Sequence, residues 1–157
     1  MNHDALLNLL VDAVALSSNH LTLKVGIDRV EIGTFAQLLA SSGEEFLSEV
    51  YRSDEITYCS GRIEHLAARL CAKEATLKVL GTGIRGIALS EVEVIHGANG
   101  QPDISLIGRA SDRASALQVV SLAVSMTHTK IAAEAVVVAL TDARMDGLNF
   151  ERRVIDG

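Results

Sequence analysis

Aromatic side chains are scarce in this chain: they make up 3% of its 157 residues, and proline occurs once. A core built from this composition has to be aliphatic, drawn from the 48% of residues that are apolar. Basic charge is short as well, since 14 Lys and Arg against 20 Asp and Glu leave a formal net charge of −6. That balance argues against a general binder of the nucleic-acid backbone. The two cysteines, Cys59 and Cys71, match neither a C-x-x-C metal spacing nor a disulfide scaffold. They read as reduced thiols of a cytoplasmic protein. No apolar run approaches the roughly 20 residues of a membrane-spanning helix, and Met1-Asn2-His3-Asp4 lacks the basic start of a signal peptide. The expectation is one soluble, cytosolic domain with no membrane partner.

What is present is patterned. Leu6, Leu10, Ala13 and Val14 recur at helical spacing, so residues 1–20 read as an N-terminal helical extension. Leu21, Leu23, Val25 and Ile27 alternate with Thr22, Lys24, Gly26 and Asp28, the period of a strand. Asp28 then faces away from Val25 and Ile27, and Gly26 beside it leaves room for a ligand to approach the backbone. Thr34 is placed to cap a helix from Phe35 to Ala40 that stops at Ser41-Ser42-Gly43, and a second short helix follows from Glu44 to Tyr51. Ser53 opens another, ending near Cys59. Strands near Val92 to His96 and Asp103 to Ile107 flank an Asn99-Gly100 turn, a strong hairpin signal. A polar helix from Gly108 to Gln118 precedes a second hairpin, Val120 to Thr127 with Ile131 to Leu140. The main domain is set at 21–141, and 142–157 reads as a charged C-terminal tail. Helices set between antiparallel hairpins give an α+β class.

The stretch with the most chemistry is the helix from about Arg62 to Leu80. Ile63, Leu66, Leu70, Leu77 and Leu80 form one apolar stripe, and Ala68, Ala72, Ala75 and Val79 line the opposite side. A helix apolar on both sides is expected to be buried, which leaves Lys73 and Glu74 at the stripe's borders and Lys78 one turn beyond Glu74 only partly solvated. By itself, Glu74 with Lys78 also reads as an ordinary i,i+4 pair worth about 0.2–0.5 kcal/mol. The helix ends in Gly81-Thr82-Gly83, a C-cap that also leaves backbone N–H groups for an anion.

Taken together, three pieces resemble one family, the holo-acyl-carrier-protein synthases, which are small 4′-phosphopantetheinyl transferases. The pieces are Val25-Gly26-Ile27-Asp28; Arg69-Leu70-Cys71-Ala72-Lys73-Glu74-Ala75 with Lys78 and Gly81-Thr82-Gly83; and Ser125-Met126-Thr127-His128. The resemblance runs from about Lys24 to Leu140. It implies an antiparallel sheet packed with a long buried helix, assembled as a homotrimer with coenzyme sites between subunits. It also implies a reaction: a serine hydroxyl of an apo acyl carrier protein attacks the β-phosphate of coenzyme A, releasing adenosine 3′,5′-bisphosphate. In that reading Asp28, Glu74 and Lys78 are catalytic, and Asp28 and Glu74 hold Mg²⁺, which suits one or two carboxylates plus substrate phosphate. Lys78 and Lys73 steady the pyrophosphate, Gly81 and Gly83 admit the coenzyme, and Arg69 and His128 hold its adenylate phosphates. Either Glu74 or a metal-polarised water takes the serine proton.

The match departs from the family in two places. Many members carry arginines on the helix after the Gly-x-Asp strand that meet the carrier's acidic recognition helix, whereas Thr34 to Ala40 here holds no basic residue. Either Arg29, Arg52 and Arg62 supply part of that surface, or the enzyme serves a less acidic, dedicated carrier from a polyketide or peptide pathway. Thr129 also stands where several relatives have an acid. The competing readings are a non-catalytic coenzyme A-binding scaffold or sensor of the same fold, and a structural domain whose charged helix makes only ion pairs.

Overall fold

A computed structural model describes residues 20–83, 86–97 and 99–142. The expected N-terminal helix, the Ile84-Arg85 part of the loop after Gly83 and the tail beyond Asp142 lie outside the described residues. Strand β1 (Leu21–Glu31) runs three residues past Asp28, which puts that carboxylate inside the strand. Helix α1 (Ile32–Val50) begins directly on it, three residues ahead of the expected start, with Glu31 as N-cap and no side-chain cap from Thr34. At Gly43 the backbone turns non-helical, φ 54° and ψ −139°. α1 is thus two helical pieces about a kink, where the Ser-Ser-Gly signal placed a break.

Helix α2 (Ser53–Cys59) has Arg52, not Ser53, at its N-cap, and the Glu55 carboxylate accepts the Arg52 backbone N–H at 3.0 Å. Helix α3 (Ile63–Leu80) closes on Gly81 at φ 69°. A 3₁₀ turn (Leu89–Glu91) leads into β2 (Val92–His96), which pairs antiparallel with β3 (Pro102–Leu106). The turn between them is closed by Gly97 N–H on Gln101 O at 2.8 Å, with Gly100 at positive φ. Helix α4 (Gly108–Ala116), β4 (Val119–His128) and β5 (Ala132–Asp142) complete the described chain. β5 takes in Thr141 and Asp142, so the final strand enters the stretch expected to be tail.

The main sheet is antiparallel in the order β1-β5-β4, and β2 with β3 forms a separate two-stranded sheet. α3 lies against one face of the main sheet. That face is built from small residues, with Ala133, Ala135, Val137 and Ala139 of β5 all buried. Gly26 is part of the same device: a Cβ there would stand 2.0 Å from the Ala75 carbonyl oxygen. This corrects the expectation of a ligand approaching at Gly26. The missing side chain lets strand and helix backbones come together, and in doing so it brings Asp28, on the same face, to the helix. The larger apolar residues of β1 point the other way, into solvent: Leu23 is 67% exposed, Val25 58% and Ile27 59%. Their register partners are Leu140, Val138 and Val136, so the outer face of the sheet is a continuous apolar surface. Among the described residues no helix is long and apolar enough to cross a membrane.

Candidate active site

The close packing at Gly26 joins three of the expected residues. Lys78 donates from Nζ to Asp28 Oδ1 at 2.8 Å and to the Ile27 carbonyl at 2.6 Å. Glu74, one turn earlier on α3, is half-buried near both; burial and the Asp28 charge push its carboxyl above the ordinary value, against an opposing pull from Lys78. The i,i+4 reading is corrected in one respect, because the ion pair of Lys78 is with Asp28 on β1. Cys71 completes the wall. Its thiol donates to the Ala133 carbonyl at 3.4 Å, and burial together with the neighbouring Asp28 pushes it up to about 12, so it is an inert thiol here. Asp28 and Glu74 thus bring two hard-oxygen groups together, with the Lys78 ammonium on Asp28 as their counter-charge. Among the described residues no three His, Cys, Asp or Glu side chains form a complete metal cage.

Lys73 does not stand with Lys78. Its ammonium is fully buried and paired with Glu55 Oε2 at 2.8 Å; it also donates to the Leu89 carbonyl at 3.3 Å and to that of Val92. Glu55 in turn accepts from the backbone N–H groups of Arg52, at 3.0 Å, and Val94, at 3.1 Å. The three donors of Lys73 are therefore committed inside the protein, tying α2, α3 and β2 together. Burial pulls Lys73 below the usual lysine range, opposed by Glu55. This corrects the expectation of a partly solvated Lys73 at the border of the apolar stripe: at 100° per residue it falls among Leu66, Leu70, Leu77 and Leu80, inside the stripe, and is fully buried. Nothing in the sequence named Glu55 as the partner.

Arg69 turns toward β2. It is buried, with Nη2 at 2.8 Å from His96 Nε2 and its guanidinium 4.4 Å from the Tyr58 ring centroid, and Tyr58 stacks on His96 at 4.0 Å. The Arg69 Nε is buried without a partner, beside a cavity of about 280 Å³ that Tyr58, Glu93 and His96 also line. His128 lies exposed at the end of β4, its ring 4.8 Å from that of His65. Desolvation, then Arg62 and His128, hold His65 below its ordinary value. Tyr58, His65 and His96 are additions from the structure. Of the glycines, Gly81 closes the helix: its N–H bonds to the Leu77 and Lys78 carbonyls, and Thr82 N–H reaches Leu77 O at 3.3 Å. Gly83, at φ 54°, has open space where a Cβ would stand.

Known proteins resemble this chain in sequence and fold. The family model of the 4′-phosphopantetheinyl transferase superfamily matches residues 24–140. A holo-[acyl-carrier-protein] synthase of Chloroflexus aggregans is 40% identical over 132 residues, covering 74% of this chain and 94% of the relative. One from Dehalococcoides mccartyi is 37% identical, covering 74% and 98%. Among solved structures, an ACPS–CoA complex from Chronobacterium ammoniagenes superposes with a TM-score of 0.68 at 30% identity, covering 78% of this chain and 99% of that one. The Helicobacter pylori holo-[acyl-carrier-protein] synthase in complex with coenzyme A gives 0.67 at 26%, covering 73% and 98%. The extent of these matches leads to one conclusion: the chain belongs to the 4′-phosphopantetheinyl transferase superfamily.

Proposed function

We propose that the protein is a cytoplasmic holo-acyl-carrier-protein synthase, which moves the 4′-phosphopantetheine arm of coenzyme A onto a serine of an apo acyl carrier protein. The serine Oγ forms a bond to the β-phosphorus, the bond from that phosphorus to the bridging oxygen breaks, and adenosine 3′,5′-bisphosphate leaves. The observation that carries this reading is the meeting of Asp28 with Glu74 and Lys78, made possible by Gly26. Phosphoryl transfer requires chiefly positioning and neutralisation of charge. Asp28 and Glu74 would hold Mg²⁺, whose remaining positions fall to substrate phosphate and water. When bound, the ion neutralises charge on the pyrophosphate oxygens. Lys78 would swing from Asp28 Oδ1 to the pyrophosphate, an exchange its half-exposed side chain permits. Either Glu74 or a water takes the serine proton. Arg69 and His128 hold the adenylate phosphates, and Gly83 admits the coenzyme backbone-close. Lys73 is reassigned from pyrophosphate contact to holding α3 in place.

The same proposal assembles three copies. The exposed Leu23, Val25 and Ile27 with Val136 form a surface of the kind that marks an interface, and coenzyme sites would lie between neighbours. Ile27→Lys is expected to lower the mass in analytical ultracentrifugation from trimer to monomer. For the reaction itself, the protein is incubated with coenzyme A, Mg²⁺ and several apo carriers, and the carriers are weighed by mass spectrometry. Gain of one phosphopantetheine arm is the expected result. An unchanged mass on every carrier would refute the reading.

A further inference from the structure

We infer that His96 is a further coenzyme-binding residue: a phosphate arriving at Arg69 takes over the guanidinium edge that His96 now holds, and the imidazole turns from acceptor to donor by taking a proton from solvent. This rests on the transferase reading above, in which Arg69 meets an adenylate phosphate. The partners of the ring fix its present state. Arg69 has only N–H donors, and its Nη2 lies 2.8 Å from His96 Nε2, so that nitrogen accepts. The Gly100 carbonyl only accepts, and it lies 3.2 Å from Nδ1, so the proton sits there. His96 therefore stands neutral, as the Nδ1–H tautomer, with its lone pair given to Arg69.

That bond does not saturate the guanidinium. Arg69 is 2% exposed, its Nε is buried without a partner, and its Nη1 reaches the His65 carbonyl only at 3.5 Å. Among the described residues no carboxylate pairs with it. A buried cation without a counter-charge is costly, and an anionic ligand relieves it. Nε and Nη2 form one edge of the planar group, the kind of edge that grips phosphate through two parallel hydrogen bonds. His96 covers half of that edge and leaves the other half unpaired. Both side chains line the cavity of about 280 Å³, with His96 exposed and stacked on Tyr58 at 4.0 Å. An oxyanion entering there satisfies Nε, displaces the imidazole from Nη2 and leaves His96 Nε2 facing negative charge. Only a protonated ring donates to it.

The charges around the ring are compatible with that exchange. Of the carboxylates on the cavity wall, Glu55 is balanced by Lys73 at 2.8 Å and Glu93 by Arg52 at 3.6 Å. Asp54 is exposed to water, and Asp103 on β3 accepts the Ile104 N–H at 2.8 Å. Arg62, 5.8 Å from the Tyr58 ring centroid, adds a cation beside the stack.

The test is calorimetric titration of coenzyme A into the full chain with Mg²⁺ and no carrier, at about pH 7.5, where a phosphate monoester is already mostly dianionic. Two buffers of different ionisation enthalpy give the protons taken up, for the unaltered enzyme and for His96→Gln, whose amide accepts and donates without titrating. The unaltered enzyme should take up roughly half to one proton more than His96→Gln, whatever His65 and His128 contribute to both. Binding linked to proton uptake weakens as pH rises, so KM for coenzyme A should grow roughly tenfold between about pH 6.5 and 8.5 in the unaltered enzyme and by less in His96→Gln. Imidazole NMR reads the same change without a variant: His96 Nε2 should be a bare acceptor in the free protein and an N–H with coenzyme A bound. Equal proton counts in the two proteins, or a bare Nε2 in both states, would overturn the role of His96 and leave the transferase standing. If neither protein binds coenzyme A, the transferase reading falls and this inference with it.

Discussion

Two lysine–carboxylate pairs lie along one helix, five residues apart and both at 2.8 Å, and they are opposites in surroundings. The Lys73–Glu55 side chains are 0% and 1% exposed, while those of Lys78–Asp28 are 49% and 21% exposed. In the first pair the lysine has no bond left to give, because two carbonyls take its other protons. In the second, water already competes for both groups, so the lysine can be exchanged for a metal ion and a phosphate at little cost. The same bond length therefore serves as a fixed joint in one place and as an opening contact in the other, and burial decides which.

Breaking the buried joint should have the largest effect on the fold. Lys73→Met strands Glu55 among apolar groups and is expected to cost about 3–5 kcal/mol in urea unfolding. Adding Glu55→Gln should recover part of that loss, since no bare charge then remains. If Lys73→Met proved stable and merely weakened coenzyme binding, the two lysines would be doing the same job.

Lys78→Met should leave stability within about 1 kcal/mol and weaken coenzyme A binding by roughly 10–100-fold, the worth of one charged hydrogen bond. Without coenzyme, the same variant should bind Mn²⁺ more tightly by calorimetry, because the competing ammonium is gone. The smallest effect concerns Glu74. Its carboxyl is raised in the folded protein, so the native state holds a proton that the unfolded chain has released. The stability this contributes is present below the ordinary glutamate value of 4.5 and is lost as pH rises through the raised value. Metal-free protein should show that decline in its urea midpoint, and Glu74→Gln should flatten it.

Much of the frame was legible in the residues. Alternation marked β1, Asn99-Gly100 marked the β2–β3 turn, Gly43 marked the kink in α1, and Gly81 the end of α3. These signals are local, so one chain suffices to read them. The meeting of Asp28 with Glu74 and Lys78 was reached only through family resemblance, since nothing local joins residues some fifty positions apart. What stayed hidden depended on which face of a strand or helix meets the core. Gly26 faces α3, so the larger residues of β1 face outward, an inversion that hydropathy alone does not suggest. Lys73 was read as a partly solvated border residue and is fully buried, and its partner Glu55 lies on another helix and reads locally as a good first-turn acid. Arg69 was marked as a cation for phosphate, and its stack with Tyr58 and His96 came only with the β2 position.

The most direct measurement is single-turnover transfer by Asp28→Asn, at saturating coenzyme A, carrier and Mg²⁺, with a thermal melt of the same sample. Asn keeps the size of the side chain and removes its charge. The melt should hardly move, because an exposed pair contributes little to stability. The transfer rate should fall by more than the roughly 10–100-fold seen when only an outer partner of a metal ligand is lost. Transfer at the unaltered rate would contradict the assignment of Asp28, and with it the claim that the open lysine pair on α3 marks the site of chemistry.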